Sequence, residues 1–162
     1  MKPDEATLQA ILMYWAMVQR GHEYVAPNNS VAMMWEADLL TFTKAGLVHE
    51  FECKLNIYDY RADFKKISKH CDLSARFDLR CPNYFWYATL AGFEIEPPEY
   101  AGWVVLLDDP SRPWHIKVRK EAPQLHKAHP TERQMKAVYR CMAHHLRQVY
   151  WLRYGYKLEA EA

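Results

Sequence analysis

Trp35-Glu36-Ala37-Asp38-Leu39-Leu40-Thr41-Phe42-Thr43-Lys44-Ala45-Gly46-Leu47-Val48-His49-Glu50-Phe51-Glu52-Cys53-Lys54 is the stretch on which the reading of this chain turns. Two runs rich in apolar and β-branched residues, Met34–Thr43 and Leu47–Leu55, flank Lys44-Ala45-Gly46. Strand-like runs joined by a short Gly-containing turn predict a β-hairpin. Side chains alternate across a strand, so Glu50, Glu52 and Lys54 share one face of the second arm. Glu36 and Asp38 likewise share a face of the first arm. Pairing about the turn then brings the acidic ends of the two arms towards each other.

Working outward, Pro3, Asp4 and Glu5 mark a helix start, because proline suits the first turn and acids favour the positive end of the helix dipole. This helix is expected to reach about Arg20 and to stop at Gly21. Ala10–Val18 is apolar on nearly all sides, as in a deeply buried helix or a subunit contact. It is nine residues long, and a membrane span needs about 20. Pro27, Asn28, Asn29 and Ser30 punctuate the stretch before the hairpin. After it, Tyr60, Phe64 and Ile67 recur at helical spacing within Tyr58–His70, and residues 71–82 read as a loop. Asn83–Thr89, Gly102–Leu107 and His115–Arg119 are strand candidates, with turns at Pro97-Pro98 and Asp109-Pro110. The aromatic run Tyr84-Phe85-Trp86-Tyr87 is expected in the core rather than stacked on bases. A last helix begins near Pro130-Thr131-Glu132 and runs to about Tyr154, with Met135, Val138, Met142, Leu146 and Val149 on one face. The pattern predicts one α/β domain over residues 1–162, its core at about 4–120, its C-terminal helix at about 130–154, and its central sheet covered by helices.

Half of the 162 residues are hydrophobic and 14% are aromatic, which is ample for a packed core and argues against disorder. The net charge of +1 hides an asymmetry. Residues 1–60 carry eight acids against four bases, whereas residues 112–153 carry ten bases against two acids. An acidic part beside a basic part suits a metal site next to a phosphate-binding surface, although an ordinary mixed surface gives the same totals. The four cysteines form no C-x-x-C pair, and the N-terminus opens on charges rather than on a basic and then apolar run. Reduced thiols in a cytoplasm are therefore expected, with no membrane association.

Carboxylates converging beside a lysine repel one another, and burying them unpaired costs more. A divalent cation relieves the conflict, and Mg²⁺ takes one or two carboxylates with waters and substrate phosphate. Asp38 and Glu52 are the candidate side-chain ligands, with the backbone carbonyl of Cys53 as a further oxygen. Lys54 would then orient or deprotonate the attacking water, or stabilise charge on the phosphate. The alternative for Glu52-x-Lys54 is a plain solvated ion pair. Glu36 and Glu50 are possible additional site residues or surface carboxylates, and Glu5 on the first helix is either an acid supplied to the site or a dipole partner.

Trp35-Glu36-Ala37-Asp38-Leu39-Leu40, then His49–Lys54, then Tyr60-Arg61-Ala62-Asp63-Phe64-Lys65-Lys66 and Lys69-His70, resemble the PD-(D/E)XK nuclease superfamily, and within it the small bacterial and phage branch of MmcB-like DNA-repair proteins. Pro82–Phe85 and Pro98–Gly102 are similar to later stretches of that branch, so the resemblance covers roughly residues 35–120. Ala37 stands where the superfamily's name has proline, and Cys53 where apolar residues are usual. The resemblance implies a restriction-endonuclease-like core of order αβββαβ with a mixed central sheet. It also implies metal binding by Asp38 and Glu52 and a catalytic Lys54. The expected activity is Mg²⁺-dependent hydrolysis of DNA phosphodiester bonds, with Mn²⁺ as a substitute. Its setting would be repair, recombination or phage genome processing in the cytoplasm of a bacterial or phage-infected cell. DNA is the expected partner, and pairing into a homodimer would let the enzyme cut two strands. The competing reading is a nuclease-fold module without turnover that binds DNA or a protein.

Two basic stretches are candidates for phosphate contact. Arg61, Lys65, Lys66 and Lys69, with Arg76 and Arg80 beyond them, follow the candidate catalytic strand directly. Arg133, Lys136, Arg140, His144 and Arg147 form a stripe on the last helix, where simple solvation explains them as well.

Overall fold

The computed structural model describes residues 4–30, 35–78, 81–107 and 115–155. Pro3, Met34, Arg80 and the Asp109-Pro110 turn lie outside them. Helix α1 (Glu5–Tyr14) is capped by Asp4, whose carboxylate accepts the Thr7 N–H at 2.8 Å. It ends in a wider turn over Trp15–Gln19. Leu8, Ile11, Leu12, Trp15 and Ala16 are buried, while Tyr14, Met17 and Val18 face outward, so the helix is not buried all round.

The expected hairpin is present. Strands β2 (Ala37–Phe42) and β3 (Val48–Lys54) pair antiparallel, with Leu39 opposite Phe51 and Leu40 opposite Glu50. The turn between them is closed by Gly46 N–H to the Thr43 carbonyl at 2.8 Å, and Gly46 has the positive φ of 73° that glycine adopts without strain. Tyr24–Asn29 forms a strand, β1, antiparallel to β2. Pro27, Asn28 and Asn29, which punctuate the sequence, lie within this strand. β1 is the outermost strand of the sheet, where a proline removes no interior ladder bond.

The stretch read as one helix over Tyr58–His70 is two. Helix α2 (Ile57–Asp63) is capped by Asn56, which accepts the N–H groups of Tyr58 and Asp59. Helix α3 (Ile67–Ala75) extends into residues expected to form a loop and closes on Arg76 in the left-handed region. Among the described residues, strands β4 (Tyr84–Leu90), β5 (Ala101–Leu106) and β6 (Ile116–Lys120) complete a six-stranded sheet in sequential order. The β3–β4 and β4–β5 pairs are parallel and the other pairs antiparallel, so the sheet is mixed. Helix α4 (Glu132–Tyr150) begins with a reciprocal capping box between Thr131 and Gln134.

Two apolar layers sandwich the sheet. On one face α1 packs Leu8, Leu12 and Trp15 on Leu39, Phe51, Cys53, Trp86 and Val104. On the other, Tyr60 of α2 and Leu73 of α3 pack on Phe85, Tyr87, Trp103 and Val105. Phe85, Trp86 and Tyr87 are thus core, as expected. Gly102 is required by close approach, since a Cβ there would lie 2.5 Å from the Trp86 ring and 2.6 Å from the Ala122 nitrogen. Buried Asn83 ties the strand starts together. Its Oδ1 accepts the Val48 N–H at 2.7 Å, and its Nδ2 donates to the carbonyls of His126 and Ala128. Helix α4 covers β1 and β2 through Val138, Met135 and Met142, but Leu146 and Val149 of the same stripe are exposed. No helix among the described residues is long and apolar enough to cross a membrane.

Candidate active site

Seven consecutive residues of β3 are buried, and three of them, Glu50, Glu52 and Lys54, carry charge towards the α2–α3 side. Cys53 points the opposite way, into the α1 layer. Such a strand needs counter-charges from elsewhere, because an unpaired buried ion is strongly unfavourable. The two short helices provide them.

Lys69 of α3 is 2% exposed. Its Nζ makes a close ion pair with Glu52 Oε1 and lies 3.3 Å from Glu50 Oε1. It also sits over the faces of Phe85 and Trp35, at 4.8 and 5.6 Å. Lys69 is therefore not the surface phosphate-binding residue expected from the sequence. Lys54 Nζ donates to Glu52 Oε2 at 3.0 Å and to Asp63 Oδ1 at 3.4 Å. Asp63, to which the sequence pattern assigns no role, is buried at the end of α2. Its Oδ1 meets Lys66 at 3.0 Å, and its Oδ2 accepts from the Tyr87 hydroxyl at 3.0 Å. The signal for it was Asp63 three residues before Lys66, a spacing that in this break between helices still forms the pair.

The break at Phe64–Lys66 decides which basic residues turn inward. In a continuous helix Arg61, Lys65 and Lys69 would recur at four-residue spacing on one face. Lys66 leaves helical geometry at ψ 62°, α3 restarts in a new phase, and Lys69 falls inside. Arg61 and Lys65 stay exposed, and Lys66 is half-exposed with its ammonium 3.8 Å from Glu52.

Asp38 stands at the start of β2. Extending the β2–β3 ladder by one step beyond Leu39–Phe51 sets it opposite Glu52, on the same face. Its Oδ2 accepts the Cys53 N–H at 2.7 Å. Burial, and then the charge of Glu52, push its pKa up to about 7; the Glu5 carboxylate on α1 adds to this. Glu5 thus lies within electrostatic reach of the site, and it accepts a hydrogen bond from Gln9. Glu50 accepts from Trp35 Nε1 at 2.7 Å, yet its Oε2 is buried with no hydrogen-bond partner among the described residues. Burial raises Glu50 to about 7 against the opposing pull of Lys69. Burial acts on Glu52 in the same sense, but Lys69 and Lys54 outweigh it and the net direction is down. For Asp63 burial is likewise overcome, chiefly by the hydrogen bond from His70 and the field of Lys69, leaving it well below the usual carboxylate range. For Lys54 burial is outweighed by Glu52 and Asp63, which hold it firmly protonated. Glu36 is exposed and outside this network.

The structure therefore groups Asp38, Glu50, Glu52 and Lys54 as expected, and adds Lys69, Asp63 and Trp35. At the Asp38 end, one carboxylate oxygen is held by the Cys53 N–H, and both oxygens of Glu52 are met by ammonium groups. Among the described residues no group of three or more His, Cys, Asp or Glu side chains is arranged to hold a metal ion.

No family profile and no curated protein matches the sequence. The fold is similar to that of a solved protein of unknown function from Silicibacter pomeroyi, with a TM-score of 0.64 over 94% of each chain at 16% identity. At that identity the likeness bears on the fold alone.

Two outcomes follow from the geometry. Lys69→Met leaves Glu50 and Glu52 facing each other in a dry site, and is expected to lower the unfolding free energy by about 3–5 kcal/mol. Lys65→Met on the surface should change it by less than about 0.5 kcal/mol. Urea denaturation of both variants checks this, and equal losses would contradict it. The second outcome concerns pH. Asp38 binds its proton more tightly in the folded chain, at about 7 against an ordinary 3.8, so its contribution to stability is full below about pH 4 and is lost as pH rises through about 7. Asp38→Asn does not titrate and should gain stability relative to the wild type across that window, then hold a constant offset. A difference that is flat from pH 4 to 7 would show that Asp38 titrates normally.

Proposed function

We propose that this protein is a metal-dependent nuclease of the PD-(D/E)XK type, built on a restriction-endonuclease-like core, that hydrolyses phosphodiester bonds in DNA. The observation that carries the reading is that the Asp38 carboxylate, bonded to the Cys53 N–H, lies within the field of Glu52, to which Lys54 is bonded. The order of elements, one helix, three antiparallel strands, a helical crossover and a parallel fourth strand, supports it.

Asp38 is a carboxyl whose proton is retained because of burial and a neighbouring anion, a conflict that a cation would resolve. Asp38, Glu52 and the Cys53 carbonyl are the groups that would hold Mg²⁺ or Mn²⁺. When bound, such an ion supplies Lewis-acid polarisation of the phosphate and a more acidic water. Lys54, kept protonated by Glu52 and Asp63, holds a positive charge at a fixed point where a phosphate oxygen gains negative charge. Asp63, pinned by Tyr87 and Lys66, keeps Lys54 from turning away. Arg61, Lys65 and the half-exposed Lys66 supply the phosphate-binding rim, and pairing of two chains would allow cleavage of both strands.

A second reading is favoured by one observation. Both oxygens of Glu52 already face ammonium groups, Lys69 on Oε1 and Lys54 on Oε2. A closed network of this kind suits a module that keeps the nuclease fold, binds DNA or a protein, and does not turn over.

Incubation of the purified chain with duplex, nicked, branched and single-stranded DNA in Mg²⁺ or Mn²⁺ separates the two. The nuclease reading expects metal-dependent cleavage that Lys54→Ala lowers by about 10²–10³ with the fold intact by circular dichroism. Absence of cleavage of any DNA form in either metal leaves the second reading in place.

A further inference from the structure

Beside the charged network, on the outer side of α3, lies an open cavity of about 550 Å³ lined by Phe64, Ile67, His70, Cys71, Ser74 and Tyr100. Its size is ordinary for a small-ligand site. Three features set it apart from a chance hollow. The first is its rings. His70 stacks on Phe64 at a centroid distance of 4.8 Å and an interplanar angle of 23°, and Tyr100 is tilted against His70 at 6.1 Å.

The second is that the polar atoms of those rings are already engaged. His70 Nε2 faces the Asp63 carbonyl at 3.0 Å and Asp63 Oδ2 at 3.3 Å. Both are acceptors, so Nε2 carries the proton, and Nδ1 accepts from the Tyr100 hydroxyl at 2.7 Å. The ring orientations are therefore fixed, and what the cavity offers an occupant is apolar surface beside the His70–Phe64 stack. Apolar surface at its mouth is left uncovered, with Phe64 38% and Ile67 70% exposed.

The third is charge. Phe64 sits in the break between α2 and α3, directly between Asp63 and Lys65-Lys66. Lys66, next in sequence to the lining residue Ile67, is half-exposed, and its ammonium reaches Asp63 at 3.0 Å and approaches Glu52 at 3.8 Å. Lys65 and Arg76 are exposed at the two ends of α3. A planar apolar occupant joined to an anion fits this arrangement.

We propose that this cavity receives an unstacked nucleobase of a DNA strand whose phosphate lies against Lys66. The substrate class is then DNA with an unpaired base, such as a single strand, a flap or a damaged site. This rests on the nucleic-acid reading of the site given above, and it assigns Phe64, His70 and Tyr100 a role in recognition rather than in chemistry.

Cys71 makes the cavity testable without turnover. It is exposed, whereas Cys53 and Cys81 are buried and Cys141 is half-buried. In Cys141→Ser protein held in EDTA, the rate of maleimide labelling of Cys71 reports occupancy of the cavity. A short single-stranded DNA is expected to slow labelling, and an abasic strand of the same length and charge is not. Phe64→Ala should weaken the protecting strand's apparent affinity by about five- to a hundredfold, and Phe64→Tyr should restore it. Equal protection by the abasic strand, or no protection by either, would overturn the proposal. Cleavage without protection sinks only the base cavity, whereas protection without cleavage under Mg²⁺ sinks only the catalytic reading.

Discussion

The ion pair of Lys69 with Glu52, shared with Glu50, is the contact on which the rest of this molecule leans. An ammonium group with almost no access to water is stable only where carboxylates and ring faces surround it, and here Glu50, Glu52, Trp35 and Phe85 all do so. The dependence is mutual. Without Lys69, the central strand β3 would carry two facing acids into the interface with α2 and α3. The sheet, the helical crossover and the candidate site are therefore one assembly rather than a scaffold with a site added to it.

This constraint explains why β3 tolerates an alternation of charge in a fully buried strand. Its other face, Phe51 and Cys53, packs on α1 in the usual way. The charged face is satisfied by residues that arrive from α2 and α3, namely Asp63, Lys66 and Lys69. Asp38, reaching across from β2 to the Cys53 N–H, and Glu50, beside Lys69, are both left with a raised pKa, and of the two Asp38 is the one without a cationic ion-pair partner among the described residues.

Much of the fold could be read from local signals. The Lys44–Gly46 turn with its flanking apolar runs located β2 and β3, and Asp4, Thr131 and Glu132 marked the helix starts. Three features could not be read that way. Pro27 disguised β1, because only the sheet order reveals that this strand lies at an edge where proline is tolerated. The break at Phe64–Lys66 carries no glycine or proline, and the regular spacing of Tyr60, Phe64 and Ile67 hid it. Lys69, a candidate for phosphate contact in the sequence because it follows the candidate catalytic strand with Arg61, Lys65 and Lys66, lies at the centre of the network. Of the site, Asp38, Glu50, Glu52 and Lys54 were legible because strand alternation alone puts the last three on one face. Asp63 and Trp35 were not, since their roles depend on tertiary contacts with Lys54 and Glu50.

The central claim is that Asp38 and Glu52 together grip one hard cation despite the lysines beside them. Isothermal titration of Mg²⁺ into the metal-free chain at about pH 8, above the raised pKa of Asp38, addresses it most directly. The expected result is saturable binding at a single site that disappears in both Glu52→Gln and Asp38→Asn. Binding that is absent in the wild type, or unchanged in those two variants, would contradict the claim.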